Sequence, residues 1–183
     1  MKRTALFGFL AIVVTSMASS MAQTTSPYAG QQERTIKALS NRDTGDLLEG
    51  CGMGLAKAGE LNSYPGPLHV LQLADQLGLS ETQRRSTDAL YAKMRDEAVP
   101  IGRQIIEAER TLDRAFADGR IEPAMLRSQL DAIAILQGNL RTVHLETHLA
   151  QRSLLTPEQI SRYDVLRGYG DNRTPQDNHK HGG

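Results

Sequence analysis

The side chains whose types and spacing are suited to chemistry begin with His144-Leu145-Glu146-Thr147-His148. Two histidines at i and i+4 share one helical face, the spacing at which two imidazoles reach a single metal ion. A metalloprotease helix needs its general-base glutamate directly after the first histidine. Leu145 holds that place, and Glu146 sits about 200° around the helix from His144, so that chemistry is excluded. A zinc site takes three or four ligands. Further donors are therefore required from His69, Cys51, Met53, Glu60 or a copy of the pair on a second subunit. His144, His148 and His69 form the nucleus of a candidate site for a transition-metal ion (Zn, Ni, Co or Cu). The alternative is two histidines on the flank of a packed helix, with no cofactor required. His179 and His181, in a polar tail, are loose donors only.

Cys51 is the one cysteine, so the chain has no internal disulfide and its fold must rest on packing. Its thiol has three open roles: burial, a link to a second chain, or metal binding. No P-loop, dinucleotide fingerprint, G-x-S-x-G or C-x-x-C appears. The acids are spread among Lys and Arg neighbours and nominate no acid–base pair. The expectation is a binding protein, not an enzyme.

These residues sit in a chain that opens as exported proteins do. A basic start (Met1 to Thr4), an apolar run to about Met17 and the small residues Ser20 and Ala22 form the layout of a cleavable signal peptide over residues 1–22. The run is short of the roughly 20 residues that span a bilayer. Periplasmic location follows as the expectation. Loss of Lys2 and Arg3 with the leader turns an even balance of 21 bases and 21 acids slightly acidic, which argues against a nucleic-acid partner. Residues 23–42 are polar without an apolar period, and 168–183 are polar and Gly-rich, so both are expected to be disordered.

Between them, aromatics at 4% and no Trp, with abundant Leu, Ala, Glu, Gln and Arg, are the vocabulary of helices. Five segments are expected over a 43–167 domain. The first runs from Asp46 to about Leu61, weakened by Gly50, Gly52, Gly54 and Gly59 unless a close helix crossing explains them. A short helix spans Leu68 to Leu77. Ser80 then caps a long helix to about Ala117, with Leu90, Met94, Ala98, Ile101, Ile105, Ala108, Leu112 and Phe116 as one stripe. Pro100 in its interior predicts a bend or break. Asp118-Gly119 stops it, and Pro123 opens a partner helix carrying Leu126, Leu130, Ile133, Leu136, Leu140 and Val143. Two long helices joined by a short turn fold back as an antiparallel hairpin. Thr156, Pro157 and Gln159 start a last helix ending near Leu166. The fold class is all-α.

The two caps share a spelling, Leu79-Ser80-Glu81-Thr82-Gln83 and Leu155-Thr156-Pro157-Glu158-Gln159. A doubled LTxxQ-type box in a small exported helical protein resembles the Spy/CpxP periplasmic chaperones and the related CnrX-type heavy-metal sensors, over about residues 60 to 167. The resemblance implies a curved homodimer of hairpins. It implies unfolded envelope proteins as clients held without ATP, and a sensor kinase or anti-sigma-type membrane protein as signalling partner. Its metal-binding branch implies a heavy-metal sensor or resistance protein. In CnrX-like sensors a ligand pair precedes the last box; the corresponding positions here are Thr147 and Gln151, so the histidine pair stands in another register.

Overall fold

The computed structural model describes residues 25–170. The expected signal peptide, His179 and His181 lie outside them. The chain divides into two compact units, Met1–Gln32 and Glu33–Gly183. In the first, residues 25–32 form tight turns closed by Ala29 N–H to Ser26 O at 3.0 Å and Gln31 N–H to Tyr28 O at 2.9 Å. All six α-helices of the described residues lie in the second unit.

That unit is all-α: α1 (Asn41–Glu49), α2 (Lys57–Glu60), α3 (Pro67–Gln72), α4 (Glu81–Ala117), α5 (Pro123–Ser153) and α6 (Pro157–Leu166), with no strand among the described residues. The long pair α4 and α5 makes the most extensive helix contact and forms the expected hairpin. Its turn is written locally, because Gly119 takes a left-handed φ of 63° and Pro123 occupies the first turn of α5. No helix among the described residues is long and apolar enough to cross a membrane.

Two expectations are corrected, and of the bend or break expected at Pro100 the break does not occur. The single first segment is instead α1 and α2, separated by a glycine-rich loop, because Gly50 adopts a left-handed φ of 69° and ends α1. The ordered core also starts earlier than residue 43. Ser40 and Asp43 form a third reciprocal capping box, and Ile36 is buried beside Leu47. A short box followed by only two leucines carried too weak a period to announce a helix. Finally, α4 runs unbroken through Pro100. Pro100 and Asp96 are both exposed, so water solvates the carbonyl that the missing N–H leaves free.

The apolar residues gather in two clusters. One joins Ile36, Leu47, Ala98, Ile105, Ile106 and Leu140 at the middle of the hairpin; the other joins Val70, Ala74, Leu77, Leu79, Leu155 and Tyr163 at its base. Between the clusters the α4–α5 contact is polar, with Gln151 Nε2 donating to Thr87 Oγ1 at 3.2 Å, both side chains fully buried. Phe116, expected in the α4 stripe, is 56% exposed, and Ala115 is buried instead.

The close helix crossing exists, but its glycine is on α4. A Cβ at Gly102 would stand 2.2 Å from the Leu47 carbonyl oxygen, so α1 lies directly on the α4 backbone. Gly102→Ala should therefore lower unfolding stability by about 1–3 kcal/mol, because backbone must move. Gly138→Ala, in α5 with open space around the new methyl, should raise it by up to about 1 kcal/mol. Urea denaturation of the two variants checks the opposite signs.

Candidate functional site

Where α1 ends, the chain cannot continue as helix, and residues 50–54 (Gly-Cys-Gly-Met-Gly) cross from α4 to α5. A Cβ at Gly50, where φ is also left-handed, would be 3.3 Å from Val99 Cγ2, so glycine permits the approach to α4, and the loop at Gly52 passes His144 Nδ1 at ordinary contact distance. The loop walls a cavity of about 370 Å³, whose other sides come from α2, the start of α3, Tyr91 and Met94 of α4, His144 and His148 of α5, and Tyr169. All the donors nominated from sequence line it: His144, His148, His69, Cys51, Met53 and Glu60.

Glu60 is the charged centre of this wall, its side chain only 12% exposed. Its Oε1 accepts from Tyr163 Oη at 2.5 Å and from Tyr169 Oη at 3.3 Å, and its Oε2 accepts from the Gly66 N–H at 3.2 Å. His69 Nδ1 lies 3.6 Å from Oε1, Arg167 Nε 3.5 Å from Oε1, and His148 Nδ1 3.7 Å from Oε2. Burial alone would raise the carboxyl pKa. The hydrogen bonds from His69 and Tyr163 and the charges of both histidines outweigh it and bring the value down to about 2. Burial, together with the bond to Glu60, pushes the Tyr163 hydroxyl upward, so it stays a donor.

The imidazoles are held differently. His148 Nδ1 lies 2.7 Å from the Tyr64 carbonyl, which can only accept, so Nδ1 carries the proton and Nε2 keeps its lone pair in the neutral ring. A Cβ at Gly66 would come within 2.9 Å of that ring, so any larger residue there would displace the imidazole. His144 is 2% exposed, and its Nε2 has no hydrogen-bond partner among the described residues. Burial, and then the neighbouring His148, lower its pKa and favour the neutral ring. Burial followed by Asp46 and Glu49 raises the Cys51 thiol, so it stays protonated.

The donor set fits a metal in kind: imidazole, thiol, thioether and carboxylate residues line one cavity. Among the described residues, however, no group of three or more His, Cys, Asp and Glu is arranged to hold an ion. Glu60 is taken up by Tyr163 and Gly66, which makes it a partner that orients His69 and His148 rather than a free ligand.

The motif caps do structural work at the base. Ser80 and Thr156 each close a capping box with Gln83 and Gln159. The two glutamines also pair with each other: Gln83 Nε2 donates to Gln159 Oε1 at 2.8 Å, and Gln159 Nε2 donates back to Gln83 Oε1 at 3.1 Å. Only an amide can accept from its own cap and donate across, so glutamate at either place would lose the second bond. Leu79 and Leu155, at 7% and 8% exposed, pack beneath. Sequence reasoning missed Tyr91, Met94, Tyr163, Arg167 and Tyr169 as parts of the site. No local pattern marks them, because each meets the cavity or Glu60 across a long stretch of chain.

Acid should weaken the fold in two steps. His144, with its lowered pKa, loses its contribution as pH falls below the unfolded value of 6.5. Glu60 contributes fully above 4.5 and loses that contribution as pH falls towards 2, about 3 kcal/mol in all. Glu60→Gln should remove the lower step and leave the upper one, as read by denaturant midpoints from pH 7 to 2.

No protein-family model matches the chain, no curated protein matches it in sequence, and no solved structure matches its fold.

Proposed function

We propose that the chain is a non-enzymatic binding protein of the bacterial periplasm, an ATP-independent chaperone or envelope-stress adaptor of Spy/CpxP type acting as a homodimer. The observation that carries this reading is the apolar surface left on the hairpin. Phe116 (56%), Met125 (42%), Leu130 (46%), Ile135 (64%) and Leu149 (57%) are exposed on α4 and α5. Charges are interleaved with them, including the exposed Arg103, Arg114, Arg127 and Asp131. Such a surface attracts an unfolded chain by charge and holds it by adaptable apolar contact. The paired capping boxes support the kinship, since they join the starts of α4 and α6 in the way a doubled motif would require.

On this reading, equimolar protein delays aggregation of a chemically denatured client with no nucleotide present, and Leu130→Ser with Ile135→Ser abolishes most of the delay while leaving helicity unchanged. Light scattering of client aggregation measures it. Unassisted rates across several clients and salt concentrations would refute it, as would a monomeric mass at tens of micromolar for the dimer.

The cavity favours a second reading, a periplasmic heavy-metal sensor or resistance protein that binds Zn, Ni, Co or Cu through His144, His148 and His69. Its support is that these histidines line one cavity with Cys51, Met53 and Glu60, and that the buried His144 Nε2 has no hydrogen-bond partner among the described residues. Zinc affinity should then fall as pH drops through about 6.5, since protonated imidazole cannot ligate. Replacing His144 and His148 by Ala should weaken it more than about tenfold. Calorimetry on a His179→Ala, His181→Ala background reads both. Binding indifferent to the two cavity histidines counts against this reading.

A further inference from the structure

We infer that the cavity beside the glycine loop is a binding site for a small, uncharged aromatic molecule of one or two rings, held against Met53, Met94, Tyr91 and Tyr169. The inference goes beyond both readings above. It concerns neither the exposed face of the hairpin nor a metal ion, although it shares its cavity with the second reading.

Size and lining choose the occupant. The volume of about 370 Å³ falls within the roughly 300–1,000 Å³ of small-molecule sites, and an apolar cavity of about 150 Å³ already takes benzene. Two fused rings therefore suit the space better than one. The wall combines two thioethers and two tyrosine rings with Ala56, Leu61, Pro67 and Leu68, and Gly50, Gly52, Gly54 and Gly66 add bare backbone to it. Thioether sulfur and tyrosine rings gain more from an aromatic neighbour than from an alkyl one.

The rim supplies an independent indication. Met53 holds a left-handed φ of 46°, an unfavourable conformation for a side chain of its size. It is 42% exposed, and Leu61 and Leu68 on the same lining are 57% and 41% exposed. Three large apolar side chains of one cavity thus meet water, and an apolar occupant would cover them. The chain's own tail is no candidate, since residues 171–183 carry no apolar side chain larger than proline.

Charge favours a neutral molecule. The acid and the base on the wall are Glu60 and Lys57. Glu60 already accepts from Tyr163, Tyr169 and Gly66, so an organic cation would find its partner taken. An organic anion would face that same carboxylate with the exposed Lys57 to offset it, and an exposed pair contributes little. An aromatic ring needs no counter-charge. Lys57, whose Cε stands 4.0 Å from the position of a Cβ on Gly54, lies along the loop where a ring face can meet its cation.

The test titrates the full chain with naphthol at pH 7 in the presence of EDTA. Naphthol fluorescence follows binding, because the chain has no tryptophan to obscure it. One saturable equivalent should bind with a dissociation constant below about 100 μM. Decahydronaphthol, the aliphatic match, and naphthoate, the anion, should each bind at least about fivefold more weakly. Met53→Asn with Leu68→Ser changes two exposed rim positions, the first to a residue that tolerates left-handed backbone, and should weaken naphthol at least about tenfold. Leu130→Ser with Ile135→Ser, on the hairpin face, should leave it within about twofold. In the unsubstituted chain the methyl resonances of Met53 and Met94 should shift with the ring current of bound naphthol while that of Met125 stays, a readout that stands even if the rim variant misfolds. Equal affinity for decahydronaphthol or naphthoate, binding that follows the hairpin-face substitutions instead of the rim, shifts confined to Met125, or no saturable binding would each overturn the inference. Client protection and zinc titration are read separately, so the two readings above stand or fall by their own measurements.

Discussion

A carboxylate withdrawn from water has to find its compensation inside the protein, and Glu60 takes its own from four places in the chain. The Gly66 amide, the His69 and His148 rings, and the Tyr163, Arg167 and Tyr169 side chains all converge on it. Because those groups belong to the approach to α3, to α3 itself, to α5, and to α6 and the residues after it, satisfying one charge fixes the position of each relative to α2. The cavity beside it is a by-product of that requirement. Its polar wall is the set of groups that Glu60 demands, and its apolar wall is what the glycine loop and α4 leave over.

The hairpin answers a different constraint. Its middle is apolar and its base is apolar, yet the layer between them holds Thr87, Thr147 and Gln151, with Gln151 bonded to Thr87. A hydrogen-bonded pair of this kind tolerates one register of α4 against α5, where sliding aliphatic contacts would tolerate several. The crossing at Gly102 pins α1 in the same way, since a helix resting on bare backbone has no side chain to shift.

Much of this was legible in the sequence because its signals are local. Ser80 and Thr156 with their glutamines, Pro123, Gly119 and the three- and four-residue steps of Ile105, Ile133 and Leu140 each act within a turn or two, and they place α4, α5 and α6 to within a residue or so. The region before residue 67 was read poorly because its cues compete there. Four glycines obscure the end of α1, and the cluster that buries Ile36 draws on Ala98, Ile105, Ile106 and Leu140, far from it in sequence. The cavity lies between these cases. His144 and His148 could be placed on one face from their spacing, and His69, Cys51, Met53 and Glu60 were named as donors by type. That a loop of alternating glycines walls one cavity together with His144 depends on packing that no window of sequence encodes.

The paired amides of Gln83 and Gln159 carry a kinetic consequence. They are 76 residues apart in the chain, whereas the capping box within which each sits spans three. Closing so long a loop from a disordered chain is entropically unfavourable, but once α4 and α5 have zipped from their short turn the ends are delivered to each other. The glutamine pair therefore belongs to the late part of folding. On that order of events, weakening the pair acts on how fast the base of the hairpin opens more than on how fast the molecule forms.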